Sequence, residues 1–438
     1  MTLTPAKAGV QREMLRLGFP RRSGLAATGP RPSPGWARVW GDATVPHVDQ
    51  PTPSITRRHL LAAGALGAAG TWAGMAAGQG PGFPGKSGLT VLRARPPLLE
   101  TPLDLLGRDV FTPNDQFFVR WHWSDIPTSV DPTRFRLKLF GHVARPQAIG
   151  LAELLRMPRI EYAAVNQCSG NSRSLFAPRV PGAQWGHGAM GNARWTGVPL
   201  RHLLDRAGVR AGAVDVRFGG LDKPPVAGAP DFLKSLSVDH ARDGEVMVAF
   251  LQNGEQLPLL NGFPLRLIVP GWFSTYWIKA LDSIEVLPRQ DDNFWMAKAY
   301  RIPTTAHATV APGAKDFPTV PINAMPPRSW VTSLPEGQSV QYEPQLPIAG
   351  LALGGAHGVA RVDVSADGRR WVRAELGPDH GRYSFRQWRA SVPLAGRGRV
   401  GLMSRCWNAA GEVQPFAPVW NPSGYARNQV EVTHVVAA

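Results

Sequence analysis

The sequence predicts a mixed α+β fold followed by an all-β sandwich of the immunoglobulin-like kind, and two patterns carry that expectation. Between residues 90 and 310, strand-like and short helix-like segments alternate without a regular βαβ period, which points to mixed α+β and away from a doubly wound sheet. Beyond a Pro/Ala-rich stretch at 304–327 the helical pattern stops, and short alternating segments recur at sandwich spacing up to residue 438. A chain of 438 residues with 43% hydrophobic content has room for two such domains, at 90–310 and 318–438, after a leader.

The first 51 residues are rich in Pro, Gly and Arg and lack periodicity. They are expected to be disordered, or to precede a true start downstream, at Val45 or Val48. Residues 52–80 read as an export signal: Arg57-Arg58 precede a weakly apolar Ala/Gly/Leu run, as in a twin-arginine leader. That route carries folded proteins and predicts a periplasmic location, with cleavage between Ala73 and Gln79. The run is too glycine-rich for the roughly 20 strongly apolar residues of a membrane helix, so no membrane span is predicted.

Residues 116–123 read as an aromatic strand, in which Arg120 and His122 share one face because side chains alternate. Two basic groups on one face suit an oxyanion, although a charged sheet edge has the same pattern. Alternation predicts another strand at 135–141. A short helix follows at 151–157, stopped by Pro158. The apolar run 160–165 then leads into Val165-Asn166-Gln167-Cys168-Ser169-Gly170-Asn171-Ser172-Arg173. A lone cysteine is commonly just a small buried hydrophobe. As a thiolate it is a soft ligand suited to a transition metal, and the glycines, asparagines and arginines around it offer close backbone approach and hydrogen-bond donors. The amphipathic segment 200–207 ends at Gly208, a capped helix. A strand is expected at 214–218, and another around Leu265, Leu267 and Val269, with Arg266 on its opposite face. Residues 293–301 carry Tyr300 beside Lys298 and Arg301, which could orient and steady its phenol. The stretch 304–327 reads as an extended surface linker. In the C-terminal half, Asp367-Gly368 between 360–365 and 370–374 signals a hairpin.

The charge is 48 − 32 = +16, and residues 1–80 account for 9 − 3 = +6 of it, so about +10 remains to favour an anionic substrate or an acidic partner. No basic stripe interleaved with exposed aromatics is present, so nucleic acid is not an expected partner. Cys168 and Cys406 are the only cysteines, which excludes a disulfide framework, a four-cysteine metal site and a C-x-x-C-H haem attachment. Cys406 has no metal-ligand partner nearby in sequence and reads as structural.

Taken together, the segment around Cys168, its continuation through Trp185 and Gly188 to Leu200, and the blocks at 259–272, 293–301 and Gln414 to Gly424 resemble the sulfite oxidase family. The resemblance implies a molybdopterin-binding catalytic domain joined to a dimerisation domain. Its cofactor would be molybdenum held by one pterin dithiolene, with Cys168 as the metal ligand. Asn166, Arg173, Asn261, Arg266 and Lys279 would bind the cofactor, Asn261 standing where animal members have a histidine. Arg120, His122, Tyr300 and a C-terminal arginine, Arg386 with Arg382 and Arg389 as close competitors, would act on sulfite. The implied reaction is oxidation of sulfite to sulfate, with electrons leaving singly to an external c-type cytochrome. The assembly would be a homodimer or a heterodimer with a cytochrome subunit. The alternatives are a related molybdenum oxidoreductase acting on another oxyanion or a sulfoxide, and a metal-free exported binding module.

Overall fold

The computed structural model describes residues 82–438; the segments expected to be a disordered start and an export signal lie outside them. The described residues are mostly strand, with a few short helices. One five-stranded sheet is built on Met190–Pro199, which pairs antiparallel with Ile160–Gln167 on one side and Met247–Gln252 on the other. Every residue of Met190–Pro199 except Arg194 is buried, as a central strand covered on both faces must be. Arg266–Ile268 also pairs with Met247–Gln252. It does not expose one face as its alternation predicts: Leu265, Arg266, Leu267, Ile268 and Val269 are all buried, so its arginine points into the protein.

A second five-stranded sheet runs Gln147–Gly150, Arg136–Gly141, Leu281–Leu287, Asp215–Gly220, Lys234–Ser237. Its pairs are antiparallel apart from the parallel match of Arg136–Gly141 with Leu281–Leu287. Helix Leu200–Ala207 buries Leu200, Leu203, Leu204 and Ala207 and ends at Gly208 in the left-handed region (φ +68), as expected. The aromatic strand is much shorter than its pattern suggests. Only Val119–Arg120 pairs, with Leu98–Glu100, and residues beyond it turn inward. The helix expected at 151–157 is the single turn Leu151–Leu154.

Beyond residue 327 the chain forms two sheets around one core. One comprises Arg328–Val331, Gln345–Leu353, Arg386–Pro393 and Glu375–Leu376. The other comprises Ser339–Val340, Val432–Ala437, Gly398–Asn408, Val359–Ser365 and Val372–Arg373. Ile348, Val362, Val364, Trp388, Leu402, Cys406 and Val435 fill the space between them. Asp367 accepts hydrogen bonds from the Arg369 and Arg370 amides, and Gly368 takes φ +69, which makes the expected hairpin turn. The linker is not wholly superficial. Thr319–Pro321 pairs with Arg301–Pro303, and Ile322 and Met325 are buried. With Trp330, Leu351, Leu353, Phe385 and Tyr425 they belong to the same hydrophobic cluster as Val165, Met190 and Trp195.

Candidate active site

The register of Ile160–Gln167 against Met190–Pro199 sets Gln167 opposite Met190, so Cys168 emerges at the end of a buried ladder. The Cys168 amide continues that ladder to the Ala189 carbonyl (2.9 Å), and the turn beyond it closes when the Asn171 amide donates to the Cys168 carbonyl (3.0 Å). Glu100 clamps the facing segment. Its two carboxylate oxygens accept the Gly186 and Gly188 amides at 2.9 and 2.7 Å. Gly188 is required there, because a Cβ would lie 1.7 Å from the Thr101 carbonyl oxygen.

Cys168 opens onto a cavity that also gathers Arg120, His122, Asn166, Asn261, Arg266, Lys279 and Tyr300. Eight residues spread over 181 positions of sequence therefore meet at one place. The rest of the wall is largely Phe118, Ser169, Phe232, Thr275 and Trp277. Arg120 donates to its neighbour's carbonyl, Trp121 O. His122 Nε2 is hydrogen-bonded to the Tyr300 hydroxyl, while its ring stacks on Phe232 at 3.5 Å and meets Trp295 edge-on at 5.3 Å. Burial, then the charges of Arg120, Lys279 and Lys234, hold His122 well below the ordinary histidine range, so its imidazole is neutral. Burial pushes the Tyr300 phenol up, which keeps its proton on. Tyr300 itself sits at φ +52 and stacks flat on Tyr425 at 5.3 Å. Its phenol is oriented by His122 rather than by Arg301, which is spent on Met296 O and Thr319.

The opposite side of the cavity is a chain of amides and guanidinium. Arg266 Nη2 donates to Asn166 Oδ1 (2.9 Å) and its Nη1 to the Asn261 carbonyl (3.1 Å). Burial lowers Arg266 to about 9. Lys279, over the Trp121 ring at 4.6 Å, is lowered to about 7 by burial and by Arg266. Polar atoms facing this space have no protein partner: Asn166 Nδ2, Ser169 Oγ and Arg266 Nε. Buried donors and desolvated cations, with Asp222 as the carboxylate acting on Lys279, fit an anionic ligand rich in acceptors. Among the described residues no group of three or more His, Cys, Asp or Glu could hold a metal ion. A metal at Cys168 must therefore bring ligands of its own, as a pterin dithiolene does.

Two expected site residues lie elsewhere. Arg173 is one layer away, over the Tyr425 ring at 5.0 Å, donating to the Ala183 and Ser423 carbonyls (3.2 and 3.1 Å). It packs where a Cβ on Gly170, Gly182 or Gly424 would collide with it, and it supports the Tyr300–Tyr425 stack from behind. Arg386 pairs with Asp379 (2.6 Å) and the Gly377 carbonyl, and lines a separate cleft with His357 and Arg382. Arg382 is held by Glu245 and Arg389 by Glu375, so none of the three guanidinium groups lines the Cys168 cavity. Sequence reasoning missed Lys86, Lys234, Phe232 and Tyr425. Lys234 is fully buried at the sheet edge, donating to Trp295 O (2.8 Å) with the Tyr300 ring 5.6 Å away.

Residues 123–295 match the oxidoreductase molybdopterin binding domain, and residues 319–435 the Mo-co oxidoreductase dimerisation domain. Fold and cavity together thus define a molybdopterin-dependent oxidoreductase, with molybdenum–molybdopterin as its cofactor. The chain is 34% identical to sulfite oxidase of Gallus gallus over 369 residues, covering 80% of this chain and 77% of that protein. It is 33% identical to mitochondrial sulfite oxidase of Homo sapiens over 366 residues, 79% of this chain, and spans 65% of the human protein's length. Among solved structures, the sulfane dehydrogenase SoxCD from Paracoccus pantotrophus superposes with a TM-score of 0.64 at 26% identity, covering 78% of this chain and 87% of that one. The chain belongs to the sulfite oxidase family.

Proposed function

We propose that the protein oxidises sulfite to sulfate and passes the electrons singly to a c-type cytochrome. The observation that carries this is the convergence of one cysteine thiol, a set of desolvated cations and a His122–Tyr300 pair on a single cavity. When bound, the molybdenum centre supplies the two-electron redox step by which sulfite and water give sulfate, two protons and two electrons. Cys168 would ligate the metal, while Asn166, Asn261, Arg266 and Lys279 would hold the pterin and its phosphate. Arg120 offers a charged donor to a sulfite oxygen. Neutral His122 orients the Tyr300 hydroxyl, which retains its proton and therefore donates to an oxyanion instead of repelling it. Phe232 and Trp295 cover the imidazole and keep water from it.

The wider assignments rest on the same footing. A catalytic domain at 90–310 and an immunoglobulin-like dimerisation domain at 318–438 are consistent with the two family matches. The latter supports a homodimer or a heterodimer with a cytochrome subunit. Arg57-Arg58 supports twin-arginine export to the periplasm. Sulfite-dependent reduction of cytochrome c tests the function, with Cys168→Ser as its control. That variant should fold and lose turnover; sulfite oxidation at the native rate in it would remove the ligand assignment. The likeness to a sulfane dehydrogenase favours one second reading, oxidation of sulfane sulfur. A higher kcat/KM with a persulfide than with sulfite would select it.

A further inference from the structure

We propose that Lys86 is a positioning residue for the cofactor: it fixes the Asn261 wall of the Cys168 cavity and makes the segment 82–88 a latch on that wall. The inference rests on the cofactor occupying this cavity. Gly85 and Gly88, at φ +68 and +64, bend the segment around Lys86. Phe83 anchors it against the small cluster of Leu99, Val119, Trp121 and Ala280. Ser87 ties it down a second time, through its amide to the Asp115 carbonyl (3.0 Å) and its hydroxyl to Asp115 Oδ2 (2.5 Å).

Between these anchors the lysine reaches inward. Its ammonium has three protons, and each finds an acceptor: Asn114 O (2.6 Å), Phe117 O (3.0 Å) and Asn261 Oδ1. The third contact sets the geometry of the cavity. With Oδ1 accepting from Lys86 and Nδ2 donating to Phe118 O (3.0 Å), the Asn261 amide cannot turn over. Its backbone carbonyl then receives Arg266 Nη1, and Arg266 Nη2 reaches Asn166, two residues before Cys168. A single hydrogen-bonded line thus runs from the latch to the metal-ligand turn. Burial lowers the lysine to about 7, so a cation there is costly, and an apolar side chain would fill the space at less expense. What an apolar residue would lose is the lock on Asn261, together with partners for the carbonyls of Asn114 and Phe117.

The test is cofactor retention, read as molybdenum by elemental analysis and as pterin by fluorescence after oxidative release. Holoprotein of the wild type and of Lys86→Met is diluted and sampled over time. Lys86→Met is expected to lose both at least about tenfold faster, the scale of one lost hydrogen bond to a charged group. Lys86→Arg, which keeps charge and donors, is expected to fall between. A second measurement needs no variant. In the wild type, acetylation of Lys86 followed by mass spectrometry should be slower in loaded than in cofactor-free chain, since a cofactor bound against the Asn261 wall would hold that wall and make opening of the latch rarer. Equal loss from Lys86→Met and wild type, or equal labelling of loaded and free chain, overturns the proposal. Wild-type protein that carries no molybdenum when made in a cofactor-producing host overturns the cofactor assignment as well, and is told apart because it is read without any substitution.

Discussion

His122 is wedged between Phe232 and Trp295, hydrogen-bonded to Tyr300 and surrounded by cations, so the proton equilibrium of this pair is set by burial. A histidine held neutral in this way does not change charge near neutral pH. His122→Gln should therefore lower kcat/KM for sulfite while leaving the acidic limb of the pH–rate profile in place; disappearance of that limb would show that His122 titrates after all. Arg120 carries the opposite expectation, because its charge is what an anion meets. Arg120→Met should cost about 10- to 100-fold in kcat/KM, the equivalent of one hydrogen bond to a charged group, seen mainly as a raised KM. Cys168, Arg120, His122 and Tyr300 line one cavity, and each was legible as a candidate because it lies in a short ordered motif. Lys86, Lys234 and Tyr425 were not, since a lysine in a glycine turn or at the start of a strand has no local mark of burial. Arg386 and Arg173 lie outside the lining of that cavity for a related reason. Which guanidinium reaches a cavity depends on which carboxylate or carbonyl intercepts it first, and no local pattern marks Asp379, Ala183 or the distant Ser423 as that partner.

At the level of elements, the Cys168 turn is only as fixed as the segment facing it. The Gly186–Gly188 backbone is held by both oxygens of Glu100, each taking one amide. Glutamine retains a single acceptor oxygen and presents an amide N–H to the other N–H. Glu100→Gln should therefore lower unfolding free energy by about 1–3 kcal/mol, the cost of one unpaired buried donor, as measured by denaturant titration. A change under about 0.5 kcal/mol would mean the segment is held by its backbone hydrogen bonds from Ser172 and Thr101 alone. The capped helix Leu200–Ala207 and the Asp367-Gly368 hairpin followed from local chemistry, an αL glycine and a self-bonding aspartate, and both formed where expected. The aromatic strand did not, because alternation at residues 116–123 records two-sided burial rather than pairing. Only Val119–Arg120 finds a partner strand, and the remaining aromatic rings are drawn into the core.

Across the whole molecule, positive charge has been buried ahead of the group that neutralises it. Lys86, Lys234 and Lys279 are each lowered to about 7 by desolvation, against an ordinary 10.5 in the unfolded chain. Below pH 7 all three are protonated in both states, and the full penalty of their burial weighs on the folded cofactor-free protein. Between about 7 and 10.5 the unfolded chain keeps protons that the folded chain has released, so stability of the cofactor-free protein rises with pH across that window. A depression of this size is on the order of a few kcal/mol for each lysine. If Arg266 and Lys279 hold the pterin phosphate as proposed, its charge would restore the protonated form of at least Lys279, which would flatten the slope. Unfolding free energies of cofactor-free and loaded protein, taken by denaturant titration from pH 7 to 9.5, should therefore converge as pH rises, the loaded protein being the less sensitive. The upper bound keeps clear of buried phenols such as Tyr276, whose ionisation is pushed above 10 and would reverse the trend. Equal slopes for the two forms would mean that the cofactor leaves these cations as desolvated as it finds them, and that the surplus charge serves the incoming anion alone.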